Sequence, residues 1–147
     1  MSWSPEQLDG YIRFYFGAIA LLEQLRIAGS RYKTVHRFHF APTYGGACWR
    51  GLDDHCGDIT IFRGCEPGAV AHELGHGFHE SIRGGRDEFG EDYAEAIRWF
   101  TEQQIGPSSW CKRFESESGH RAILDACNFD WKTFVCRIQS GIIFPNT

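Results

Sequence analysis

The residues whose types and spacing could do chemistry are His72, Glu73 and His76, in the pentapeptide His72-Glu73-Leu74-Gly75-His76. In a helix, residues four apart stand one above the other, so the two imidazoles can offer nitrogens to one ion at about 2.0–2.1 Å each. Glu73 then lies near the ion but angled off it, placed to take a proton from activated water and return it to a leaving amine. Two imidazoles and one more carboxylate are the ligand set of a catalytic zinc that keeps a fourth position open. Fourteen residues separate His76 from Glu91 and eighteen separate it from Glu95. Both carboxylates share one face of the next helical stretch, so spacing permits either as third ligand, with Asp92 a remoter candidate.

The elements that must position these groups can be read from periodicity and punctuation. Pro67 after Glu66 marks a helix start and Gly84-Gly85 a stop. Within that span Val70, Leu74, Phe78 and Ile82 recur every four residues as a buried stripe. At 100° per residue His72 and His76 point roughly 160–200° away from Val70 and Leu74, so core packing does not account for them. His79 and Glu80 extend the polar face. A second helix runs from Glu91 to Gln104, with Tyr93, Ala96, Ile97 and Phe100 inward, and Gly106-Pro107 ends it.

Upstream, Ser4-Pro5-Glu6-Gln7 has the pattern of a capping box. It opens a long amphipathic helix through Tyr11, Phe14, Tyr15, Ala18, Leu22 and Leu25, stopped at Gly29. Tyr32 to Phe40 alternates as a strand, with Thr34, His36, Phe38 and Phe40 on one face. Pro42 to Gly57 is turn-rich and reads as loop, and Asp58 to Phe62 as a second strand. Short helices are expected over Gly119–Cys127 and Trp131–Ile138, and the apolar tail Ile142–Phe144 as a last strand or a segment lying in a groove. The isolated His36, His39 and His55 read as hydrogen-bonded or surface residues rather than metal ligands.

At 147 residues the chain is one average domain, residues 1–147, of α+β class. Its net charge of -4 argues against a nucleic-acid partner, which needs a clustered basic surface. No apolar run approaches the roughly 18 residues that span a bilayer, so no membrane partner is expected. A soluble monomer is the expectation. Six cysteines without any C-x-x-C pair are compatible with three disulfides, and hence lean toward secretion.

The order His72-Glu73-Leu74-Gly75-His76, then Glu91-Asp92-Tyr93-Ala94-Glu95-Ala96-Ile97-Arg98, resembles the gluzincin clan of zinc metallopeptidases. The second segment is similar to the E-x-F-A-E-A-F stretch of the lethal factor and Pro-Pro endopeptidase group. The metzincin pattern is excluded, because His79 and Ile82 stand where it needs Gly and His. The lethal factor resemblance implies zinc held by His72, His76 and Glu91, Glu73 as general base and acid, and Glu95 bonding a ligand histidine, whereas the eighteen-residue gap to Glu95 is similar to the spacing of the gluzincin aminopeptidases and would make Glu95 the ligand. The resemblance also implies a compact zincin-like domain of the size of the single-domain minigluzincins. Such a domain has a small, mostly antiparallel sheet packed on the long N-terminal helix, an active-site helix and a glutamate helix. The expected activity is hydrolysis of a peptide or protein substrate lying under an edge strand, for which Asp58–Phe62 is the candidate. The chain departs from the lethal factor group at Gly84, where those proteins carry an oxyanion-stabilising tyrosine. His120 or Tyr44 would have to replace it. Otherwise the domain is a weak or latent relative that binds metal and a partner without turnover.

Overall fold

The computed structural model describes residues 3–27, 33–82, 87–106 and 119–141. The first helix, α1, spans Pro5–Ile27. It opens with the reciprocal pair expected of a capping box: the Ser4 amide donates to Gln7 Oε1 at 3.0 Å, and the Gln7 amide to Ser4 Oγ at 3.1 Å. Strands β1 (Thr34–Tyr44), β2 (Ala47–Gly51) and β3 (Cys56–Arg63) follow, then α2 (Gly68–Ser81). A 3-10 turn over Asp87–Phe89 leads into α3 (Gly90–Ile105), and α4 (Ala122–Ala126) and α5 (Trp131–Gln139) complete the described chain. The class is thus mixed helix and sheet. Phe14, Leu22, Leu25, Ile59, Ile61, Leu74, Phe78, Tyr93, Ile97 and Phe134 are all fully buried in one core joining α1, α2, α3, α5 and β3.

The sheet corrects the sequence reading in three ways. Its order is β1-β3-β2, with β1 parallel to β3 and β2 antiparallel to it, so it is mixed rather than mostly antiparallel. The cause is β2, which lies inside the stretch read as loop: its glycines and charges hide a five-residue strand that is only partly buried. β3 alternates buried Gly57, Ile59 and Ile61 with less buried neighbours, and it takes the centre, where both of its edges are bonded. The Asp58–Phe62 stretch is therefore not an edge strand, and β2 holds that place. In β1, a register shift between Val35 and Arg37 carries the chain across the sheet, so that Val35 and Phe38 both pack on the core. The side chain of His36, Gly84 and the tail Ile142–Phe144 lie outside the described residues.

Cys48, Cys56, Cys65, Cys127 and Cys136 are free, while Cys111 lies outside the described residues. A three-disulfide framework is thereby overturned, and with it the ground for the lean toward secretion. Cys65 and Cys127 sit in the core as small hydrophobes, and burial pushes the Cys65 thiol up to about 12. Among the described residues no helix is long and apolar enough to cross a membrane.

Candidate metal centre

α2 and α3 cross where each is narrowest. A Cβ built on Gly75 would lie 2.6 Å from the Ala94 Cα and 3.0 Å from the Ala94 carbonyl oxygen, so only glycine permits this approach. The crossing places the first turns of α3 over the outer face of α2. Val70, Ala71, Leu74 and Phe78 point into the core, whereas His72 and His76 are only partly buried and face α3. Their rings stand edge to face with centroids 4.9 Å apart.

Glu91 joins them from α3. Its carboxylate lies with Oε2 3.0 Å from His72 Nε2 and Oε1 3.1 Å from His76 Nε2. Edges of this length suit a tetrahedral ion with bonds of about 2.0–2.1 Å, whose ligand atoms stand roughly 3.3 Å apart. The Glu91 side chain is 51% exposed, so the ligand set is open to solvent on that side. The ligand atoms of His72, Glu73 and His76 also lie within 4.8 Å of one another.

Glu95, one turn further along α3, does not share this position. Its Oε1 is 2.7 Å from His72 Nδ1, the other ring nitrogen, which directs His72 Nε2 toward Glu91. Burial opposes ionisation of Glu95, but the His72 hydrogen bond and the charges of His72, Arg98 and His120 hold its carboxyl below the usual range. For His72, burial is the largest influence and favours the neutral ring. The Glu95 hydrogen bond and the carboxylates of Glu73, Glu95 and Glu91 together outweigh it and raise the imidazole above its ordinary value. His76 is lowered, by burial first and then by His72. Three carboxylates around two imidazoles give an excess of negative charge that a divalent cation would neutralise, so the residues present fit a zinc.

Glu73 is buried at 7% exposure, and burial pushes its carboxyl up to about 7 against the opposing influence of His72. The Trp49 main-chain amide lies near this carboxylate and favours its ionised form. Reading the sequence alone missed Trp49, because its strand was not visible. The ladder bonds at Phe62 to Gly46 and Leu52 to Cys56 turn Cys48 and Arg50 toward β3. Ala47, Trp49 and Gly51 therefore present their main-chain groups to the free edge. The Trp49 ring fits between two glycines: a Cβ on Gly57 would meet it at 2.3 Å and one on Gly77 at 3.0 Å. Its indole N–H donates to Glu80 Oε2, which pins the edge of the sheet to α2. The one available signal was the glycine at 57 and at 77 opposite a single tryptophan.

The remaining candidates separate clearly. Asp92 is buried and accepts from the Ala122 amide at 2.9 Å, so it anchors the segment before α4 instead of facing the histidines. That anchor brings His120 beside the site, with Nδ1 3.6 Å from Asp92 Oδ1. Tyr44 lies elsewhere, under the Arg63 guanidinium at the end of β1. His39 Nε2 is 3.0 Å from Asp58 Oδ2 on the sheet, and the His55 amide donates to Asp53 in the β2–β3 turn. His79 is buried against Tyr93, at 5.1 Å between ring centroids, and does not extend the polar face. Neither a protein-family model, nor a curated protein, nor a solved structure matches the chain significantly.

Proposed function

We propose that the chain is a gluzincin-type zinc metallopeptidase, a compact zincin-like domain that hydrolyses peptide bonds. One observation carries the reading: a single carboxylate, Glu91, stands within 3.1 Å of the Nε2 atoms of two imidazoles one helical turn apart. His72, His76 and Glu91 would hold the ion, and Glu95 would keep His72 in the orientation that presents Nε2. Zinc there supplies Lewis acidity toward water and toward the scissile carbonyl. Glu73 Oε2, 3.8 Å from His72 Nε2, takes the proton from water and delivers it to the leaving nitrogen. The Trp49 amide faces the Glu73 carboxylate from the edge of the sheet. An extended substrate laid along the free edge of β2 would take main-chain hydrogen bonds from Ala47 and Gly51, on either side of Trp49. His120, held near α3 beside Asp92, is the candidate to reach a developing oxyanion.

The test is Glu73→Gln, which is isosteric and removes no ligand. Purified protein and variant should bind equal zinc by elemental analysis, and only the parent should cleave a peptide library. Full cleavage by the variant would end the mechanism. Zinc in both with cleavage by neither would leave a metal- and partner-binding module instead.

A further inference from the structure

A cavity of about 420 Å³ lies between the start of α1 and the ends of β1 and β3, and shares no residue with the histidine cluster. Its volume falls within the roughly 300–1,000 Å³ of small-ligand pockets. The walls are aromatic. Trp3 and Phe40 meet edge to face at 5.4 Å, and Phe40, Pro42 and Tyr44 line the cavity from the end of β1, where the register shifts between Ala41 and Tyr44. Phe40 is 47% and Tyr44 74% exposed, a concentration of accessible apolar surface that the core does not use.

Two side chains of this cavity, Arg63 and Gln7, offer donors. Arg63 is the charged residue lining it, and its guanidinium meets no carboxylate among the described residues. The Arg63 Cζ lies 4.6 Å over the Tyr44 ring, a stacking that occupies one face and leaves the in-plane N–H groups free. Gln7 spends its carbonyl oxygen on the Ser4 amide, so its remaining hydrogen-bonding group is the NH₂. Gly64, with φ of +85°, turns the chain directly after Arg63, and a Cβ there would press on the Tyr44 ring at 3.3 Å. The turn therefore keeps Tyr44 close under the guanidinium.

We infer that the cavity of Trp3, Gln7, Phe40, Pro42, Tyr44 and Arg63 is a binding site for a free carboxylate carried on an aromatic or branched apolar body. Arg63 takes the carboxylate through its N–H fork, and the rings take the apolar part. A guanidinium that meets no carboxylate among the described residues, set against aromatic rings, selects for an anionic group. The inference is independent of the metal centre.

The experiment is an amide-resolved NMR titration of the full chain in chelator, with N-acetyl-phenylalanine, 3-phenylpropionate and N-acetyl-phenylalaninamide as probes. The Gly64 amide and Trp3 indole signals should shift saturably with N-acetyl-phenylalanine, and about tenfold more weakly or not at all with its amide. Arg63→Gln should weaken the acid by about the same factor. Equal binding of 3-phenylpropionate identifies a free acid as the source, and binding of N-acetyl-phenylalanine alone identifies a peptide carboxyl terminus. Equal shifts with the amide, unchanged binding by a folded Arg63→Gln, or no saturable shift at Gly64 and Trp3 would overturn the inference. If Arg63→Gln does not fold, the comparison of acid with amide on the parent chain still decides.

Discussion

Gly75→Ala sets two magnitudes of opposite sign against each other. In a helix interior, glycine to alanine ordinarily stabilises by about 0.5–1 kcal/mol, because alanine loses less backbone freedom on folding. Here the new methyl would stand 2.6 Å from the Ala94 Cα, 3.0 Å from its carbonyl oxygen and 3.1 Å from the Ile97 Cβ. The first two are backbone atoms that cannot rotate away, so α2 and α3 must separate by roughly 1 Å to restore carbon contacts of about 3.5 Å. Overpacking of that kind costs about 1–3 kcal/mol and so outweighs the propensity gain. The net loss of about 1–2 kcal/mol lowers Tm by roughly 2–6 °C for a chain of this size. The same separation draws Glu91 away from His72 and His76, which sit on the other helix. Metal sites tolerate about 0.2 Å in ligand distance, so zinc affinity should fall about 10–100-fold. Scanning calorimetry and a competitive zinc titration read both effects. Adding Ala94→Gly should not rescue the variant, because the clash is with the main chain. A Tm that rises while zinc affinity stays constant would refute the close crossing on which the proposed metal centre depends.

Glu91→Gln should cost far more zinc affinity than Glu95→Gln, which should lose about 10–100-fold by freeing His72 to reorient; equal losses would mean that the two carboxylates have been given the wrong roles. Because burial raises the Glu73 carboxyl from 4.5 to about 7, its contribution to stability is fully present below pH 4.5 and is lost as pH rises through 7. In chelator, Glu73→Gln should therefore gain on the parent chain between pH 5 and 8, on the order of 3 kcal/mol at the upper end. A difference in Tm that stays flat over that range would show that the carboxyl is not desolvated. With five free cysteines, the unreduced, denatured protein should titrate at least five thiols, and reductant should leave Tm unchanged; fewer thiols would restore a disulfide.

How much could be read in advance depended on range. The α1 capping box, the stripe of α2 and the inward face of α3 rest on neighbours three and four residues apart, and periodicity reports those directly. The pairing of His72 with His76 is likewise local, since one turn of helix brings them together wherever the helix lies. The choice between Glu91 and Glu95 is of another kind, because both stand on one face of α3. The separate positions came from the close crossing at Gly75 and Ala94, which placed Glu91 against both Nε2 atoms and Glu95 against Nδ1. The strand β2 was invisible for a similar reason. Ala47 to Gly51 has little intrinsic strand character, and it becomes a strand only because β3 offers an unpaired edge and the Trp49 ring finds two glycines to lie between.

By itself the sequence determined a candidate ligand set, the helices that bear it and the apolar faces that bury those helices, because all of these follow from spacing along one chain. Only the tertiary structure decided which glutamate meets the histidines, which strand forms the edge beside Glu73 and which way β1 runs against β3. Those depend on contacts between residues tens of positions apart, where packing at a few glycines settles distances to within an ångström and periodicity carries no information.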